Sequence, residues 1–162
     1  MAGHERAQIL AGMGAGAIWG VAVTGLPLWL GLPCLPSPAA LPIALLGPGV
    51  FLALLIGRLA QRRFFDDRLI DGAAPPPGSR ADTDQRVLTN TVEQLLLALA
   101  LWPFAAVTLG GAVAISLGLS FTLMRVLFWA GYHRSPPLRA LGFAGTFYPT
   151  VIATLWAAVQ WF

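Results

Sequence analysis

The stretch AQILAGMGAGAIWGVAVTGLPLWLGLPCLPSPAALPIALLGPGVFLALLIG (residues 7–57) contains no charged side chain. A bilayer core about 30 Å thick needs about 20 mostly apolar residues in a helix. The run is therefore long enough for two crossings. Gly31, Pro33, Pro36, Ser37 and Pro38 divide it, because proline removes a backbone donor and restricts the residue before it. The sequence predicts spans over about 9–31 and about 40–57. Gly47-Pro48-Gly49 predicts a kink in the second.

Outward from this stretch the chain changes character. Residues 58–86 hold Arg58, Arg62, Arg63, Arg68, Arg80 and Arg86, with Asp66, Asp67, Asp71, Asp82 and Asp84. Their middle, Gly72-Ala-Ala-Pro-Pro-Pro-Gly-Ser79, reads as a turn-rich linker. Three further apolar runs follow, over about 87–109, 111–132 and 140–162. Gly110-Gly111 predicts a tight turn between the first two, and His133-Arg-Ser-Pro-Pro-Leu-Arg139 links the last two. No period-2 alternation points to a barrel. The expected fold is all-α: an integral membrane helical bundle.

Composition agrees. Hydrophobic residues make up 57% of the 162 and charged residues 10%, against about 25% charged in a soluble domain. That deficit excludes a disordered chain, a nucleic-acid-binding domain and an ordinary soluble enzyme, and the mean hydropathy is +0.72. Cys34 stands alone, so neither an intramolecular disulfide nor a multi-cysteine metal site is expected. His4 and His133 lie far apart in sequence, which argues against a histidine metal cluster. The first span is read as a retained anchor rather than a cleaved signal, because its apolar run exceeds the 7–15 residues of a signal core.

The ten basic residues are all arginine, and in a five-span reading they fall on one side. Arg6 precedes the first span, six occupy 58–86, Arg134 and Arg139 lie in the last link, and Arg125 lies two turns inside the same face. The connections at 32–39 and 109–111 carry none. The positive-inside rule then places the N-terminus in the cytoplasm and the C-terminus outside, as in a bacterial inner membrane.

Polar groups within spans mark functional sites by default. Arg86, Asn90 and Glu93, at i, i+4 and i+7, share one helix face, with Gln94 beside them. On the next span Arg125 and Tyr132 share a face, with Phe128 between them and Arg134 and Arg139 beyond. Two readings stay open at this point. Glu93 and Arg125 form a structural ion pair, or the surplus of arginine binds an anion, since guanidinium forks match carboxylates two bonds at a time.

Arg86-Val-Leu-Thr-Asn90-Thr-Val-Glu93 resembles the R-x-x-x-N-x-x-E signature of the MAPEG family, the membrane-associated proteins of eicosanoid and glutathione metabolism. The segment from Arg125 through Gly131-Tyr132 to Arg139 is similar to the family's next signature, most of all in its leukotriene-C synthase and microsomal glutathione transferase branches. Arg62-Arg63 resembles the arginine pair that closes the family's first helix. The resemblance covers about residues 41–162. It divides the chain into an extra N-terminal transmembrane helix with its proline-rich turn (1–39) and a four-helix membrane domain (40–162).

The resemblance implies a homotrimer that binds glutathione between subunits near the cytoplasmic face. It implies tripeptide contacts from Arg86, Asn90, Glu93, Arg125, Tyr132 and Arg134, and from the positions of Gln94 and Phe128, where the pattern has tyrosines. It assigns Arg139 to the thiolate, with help from Arg62 or Arg63 of a neighbouring subunit. The expected function is a glutathione-dependent transferase or peroxidase on lipophilic electrophiles from the bilayer, with glutathione as co-substrate and no metal. The rival is a non-catalytic lipid- or partner-binding protein on the same scaffold, and the loss of two phenols at Gln94 and Phe128 speaks for it. Glu93 and Arg139, both retained, speak for the enzyme.

Overall fold

The computed structural model describes the backbone of residues 2–32 and 35–162, and side chains from residue 6 onward. Pro33 and Cys34, assigned above to the first turn, lie outside the described residues, as does the side chain of His4. The described residues form five helices: α1 (Ala2–Trp29), α2 (Ser37–Phe64), α3 (Arg80–Leu109), α4 (Gly111–Arg134) and α5 (Pro136–Trp161). Each is long and apolar enough to cross a membrane. Leu10, Ile18, Leu46, Leu54, Leu96 and Leu119 are exposed on their outer faces, as a lipid-facing surface requires.

Several helices extend beyond the spans expected from sequence, three of them for a clear local reason. α2 runs on past Gly57 to Phe64, so Arg58, Arg62 and Arg63 are helical and not part of the loop. It also continues unbroken through Pro48, which is buried against its neighbours. α3 starts at Arg80 because Ser79 caps it: the Ser79 hydroxyl accepts from the Asp82 backbone N–H at 3.1 Å, and the Asp82 carboxylate accepts from Gly78 N–H at 2.9 Å. α5 begins at Pro136, where two prolines occupy the first helical positions, whose N–H groups need no intrahelical partner. Arg139 therefore sits in the first turn of a helix, and Ser135 alone joins α4 to α5. Gly110 turns the chain between α3 and α4 at a positive φ of 96°, open to glycine at little cost.

α2 and α5 each pack on the α3–α4 pair, and α1 lies against α5 and α4. The main core is rich in alanine, with Ala44, Ala98, Ala105, Ala114 and Ala153 around Trp102, Leu117 and Phe121. Small residues let membrane helices approach closely, which matters because lipid offers no hydrophobic drive between them. The Trp102 indole donates to Thr150 Oγ1 at 3.1 Å and so has its partner inside the apolar core. A second, smaller core of Phe51, Leu55, Val87 and Phe128 lies at the arginine-rich end. Gly12, Gly16 and Gly20 of α1 meet Leu141, Ala144 and Tyr148 of α5 in that order, so the two helices run parallel. The start of α1 thus lies at the same end of the bundle as Arg139.

Candidate functional site

The polar groups at this end form three sets. The first centres on Asp84, which is 1% exposed and near the start of α3. Its Oδ2 accepts from Arg58 Nε at 2.9 Å and from Arg62 Nε at 2.7 Å, both on α2. Its Oδ1 accepts from the Trp129 indole of α4 at 3.0 Å. Arg58 also lies 5.1 Å from the Trp129 ring centre. One buried carboxylate thus ties three helices, compensated by two cations and a neutral donor.

The second set surrounds Arg125, which is fully buried. Its Nη1 donates to Asn90 Oδ1 at 2.7 Å, and its Nη2 donates to Thr146 Oγ1 at 2.5 Å and to the Gly142 carbonyl at 3.2 Å. The guanidinium lies 4.4 Å from the Phe128 ring centre. Gly142 makes this reach possible: a side chain there would strike the Phe128 backbone, so only glycine lets α5 come close enough to offer its carbonyl. Asn90 in turn donates from Nδ2 to Glu93 Oε2 at 3.2 Å. Glu93 and Arg125 form no ion pair; Asn90 stands between them. Arg86 reaches back to Asp82 at 3.1 Å and remains 60% exposed.

The third set is the cavity at Arg139, about 260 Å³, lined by Phe128, Tyr132, Phe143 and Arg139 with Ile9 and Met13 of α1. The Tyr132 ring meets Phe128 edge-on at 5.3 Å. The Arg139 guanidinium lies over Tyr132 at 5.0 Å. No ion pair or side-chain hydrogen bond engages Arg139 among the described residues. Among the described residues this cation meets an aromatic face beside an apolar cavity, an arrangement that leaves its donors for an anion.

Residues 39–159 match the family model of the MAPEG family. The chain belongs to the MAPEG family. It is accordingly an integral membrane protein of the glutathione and eicosanoid metabolism family. No curated protein and no solved structure matches the chain. The match takes in α2 to α5 and leaves α1 outside.

Within this MAPEG bundle the residues singled out by sequence separate into distinct environments. Asn90, Arg125, Phe128 and Tyr132 meet at the α3–α4 contact, and Arg139 joins them through Tyr132. Arg86 and Glu93 are exposed on the flank of α3. Gln94, next to them in sequence, turns inward and is 7% exposed. Arg134 is exposed at the end of α4. Arg62 belongs to the Asp84 set. Arg63 donates to Gln85 at 3.2 Å and lines a separate cavity of about 480 Å³ with Phe64, Ile70 and Leu88. Neither Arg62 nor Arg63 lines the Arg139 cavity.

Sequence reasoning missed Asp84, Trp129, Thr146 and the two α1 residues. Asp84 was hidden among five aspartates of an apparent loop. An available signal was its spacing: Asp84, Val87, Thr91 and Ala98 lie at i, i+3, i+7 and i+14 on one helix face, and all are buried. Gly12-x-x-x-Gly16-x-x-x-Gly20, a close-contact pattern in membrane helices, was the corresponding signal for α1.

Proposed function

We propose that the protein is a membrane-bound, glutathione-dependent transferase or peroxidase acting on lipophilic electrophiles, with Arg139 stabilising the glutathione thiolate. The observation that carries this reading is the Arg139 guanidinium, free of carboxylates among the described residues and set over Tyr132 at the edge of an apolar cavity. A free thiol has a pKa of about 8.5, so little of it is thiolate at neutral pH. A guanidinium within about 4 Å favours the anion. A depression of about two units corresponds to about 2.7 kcal/mol, within the reach of one well-placed charge at a low-dielectric boundary. The proton leaves to water at the arginine-rich face. With an aryl halide, the sulfur then forms the carbon–sulfur bond and the halide departs with its electron pair.

The exposed Glu93 suits the α-amino group of the tripeptide, and Arg86 suits a carboxylate. Arg125 acts one layer deeper. It holds Asn90, and Asn90 holds Glu93, so its effect on the ligand passes through them. Arg86 and Glu93 lie open on the α3 flank, and this supports a homotrimer in which a neighbouring subunit completes the glutathione site and brings its own Arg62 or Arg63. Gln94 and Phe128 favour the second reading, a non-catalytic lipid- or partner-binding protein, because neither supplies a phenol to a ligand.

Calorimetric titration of the detergent-purified protein with glutathione should give saturable binding, and native mass spectrometry should give three copies. A flat titration, or a clean monomer or dimer, excludes the site as described. We also propose that the arginine-rich end faces the cytoplasm of a bacterial inner membrane. Reporter fusions should place the N-terminus inside and the C-terminus outside; termini on one side would refute the five-span topology.

A further inference from the structure

α1 lies outside the family-matched segment, yet it lines the cavity at Arg139. Its approach is set by glycines. A side chain at Gly12 would run into the Pro137 carbonyl and Ala140, and one at Gly16 would strike Ala144. With only glycines on the α1 side of that seam, the α1 backbone rests directly on the small residues Ala140 and Ala144 of α5. Ile9 and Met13 flank the seam one turn apart on α1, and both end on the cavity opposite Phe128 and Phe143. The wall is fixed, because moving α1 outward would open the glycine contacts along the helix.

We infer that Met13 and Ile9 determine which electrophiles the protein accepts, by limiting the apolar group that can lie beside the sulfur at Arg139. This rests on the function proposed above. The cavity holds about 260 Å³, below the roughly 300–1,000 Å³ of sites that enclose a drug-sized ligand. A compact aryl or short alkyl group fits within this open recess, whereas a bulky fused-ring group meets Ile9 and Met13 at its wall. Both residues are half-buried, so truncating them leaves the glycine seam in place. A methylene-sized change in an apolar pocket alters discrimination by about 10–200-fold. Met13 loses three heavy atoms on truncation to alanine, which puts the expected change at or above about tenfold on the same scale.

The experiment compares wild type, Met13→Ala, Ile9→Ala and Met13→Trp as intact detergent-solubilised protein. Calorimetry measures glutathione, S-methylglutathione and S-(2,4-dinitrophenyl)glutathione, and turnover is followed with a compact aryl halide and a naphthyl analogue. The expected result is unchanged glutathione affinity in all four proteins. The affinity gained by the dinitrophenyl group over the methyl group should fall at least about tenfold in Met13→Trp. The naphthyl-to-phenyl preference in turnover should rise by a similar factor in the two alanine variants. If glutathione binds normally and neither ratio moves, α1 is a scaffold and the inference is wrong while the proposed function stands. If glutathione does not bind the wild type, the proposed function fails, and this inference fails with it.

Discussion

Replacing Arg139 with alanine should change the shape of the pH–rate profile more than any other single substitution. With the guanidinium in place and a thiol pKa near 6.5, wild-type turnover should level off above about pH 7. Without it the bound thiol returns towards about 8.5, and turnover should climb about tenfold per pH unit from pH 6 to about pH 8. At pH 7 the thiolate fraction falls about 25-fold by this arithmetic. The rate falls less, because a thiolate of higher pKa is the better nucleophile, with a Brønsted slope of about 0.4–0.5 in thiol–disulfide exchange. The slope of the profile is therefore the decisive quantity, and the rate deficit should close by about pH 9. Glu93→Gln and Asn90→Ala should behave differently, raising the Michaelis constant for glutathione more than they lower turnover, with an unchanged profile. Wild-type turnover and profile for Arg139→Ala from pH 6 to 9 would leave Arg139 as a membrane-boundary anchor without a part in the chemistry.

The contrast between Arg139 and Arg125 explains what the sequence disclosed and what it hid. Both are arginines beside aromatic residues near one end of a helix. Hydropathy and the charge-free run 7–57 made the five helices legible, because a bilayer admits few ways to satisfy the backbone. Spacing also put Asn90 and Arg125 at the same depth. Spacing does not say which of two nearby arginines turns inward. Arg125 does so because Gly142 admits the close α4–α5 approach that brings a carbonyl and the Thr146 hydroxyl to it. Those partners lie 17 and 21 residues away, and no local period connects them. Gln94 shows the same limit: one position beyond Glu93, it points into the bundle. The wall built by Ile9 and Met13 was hidden for a further reason. It depends on how α1 docks on α5, and that docking is written in Gly12, Gly16 and Gly20, which carry no side-chain chemistry to attract attention.

Removing the two arginines that face Asp84 should destabilise the bundle more than removing Asp84 itself. Asp84 is 1% exposed, whereas Arg58 and Arg62 expose 42% and 26% of their side chains. In Asp84→Ala the two guanidinium groups can turn to water at the headgroup level, as long basic side chains do. The loss is then the tie between α2 and α3 and the acceptor of the Trp129 indole. In the Arg58→Met, Arg62→Met double variant the carboxylate stays buried with one neutral donor, and its charge has no route to solvent. Breaking a buried pair from one side costs about 3–5 kcal/mol; the double variant belongs at the top of that range and Asp84→Ala at or below its foot. A combined variant lacking all three charges should recover much of the loss, since replacing a whole buried ion cluster by apolar groups is often neutral. Thermal unfolding in detergent, followed by circular dichroism, ranks the three proteins. Equal losses for Asp84→Ala and the arginine pair would mean that the cluster is open to water, so that the charges at this end of α2 and α3 act as separate surface groups. Recovery in the triple variant would mean that the cluster fixes helix register without adding net stability.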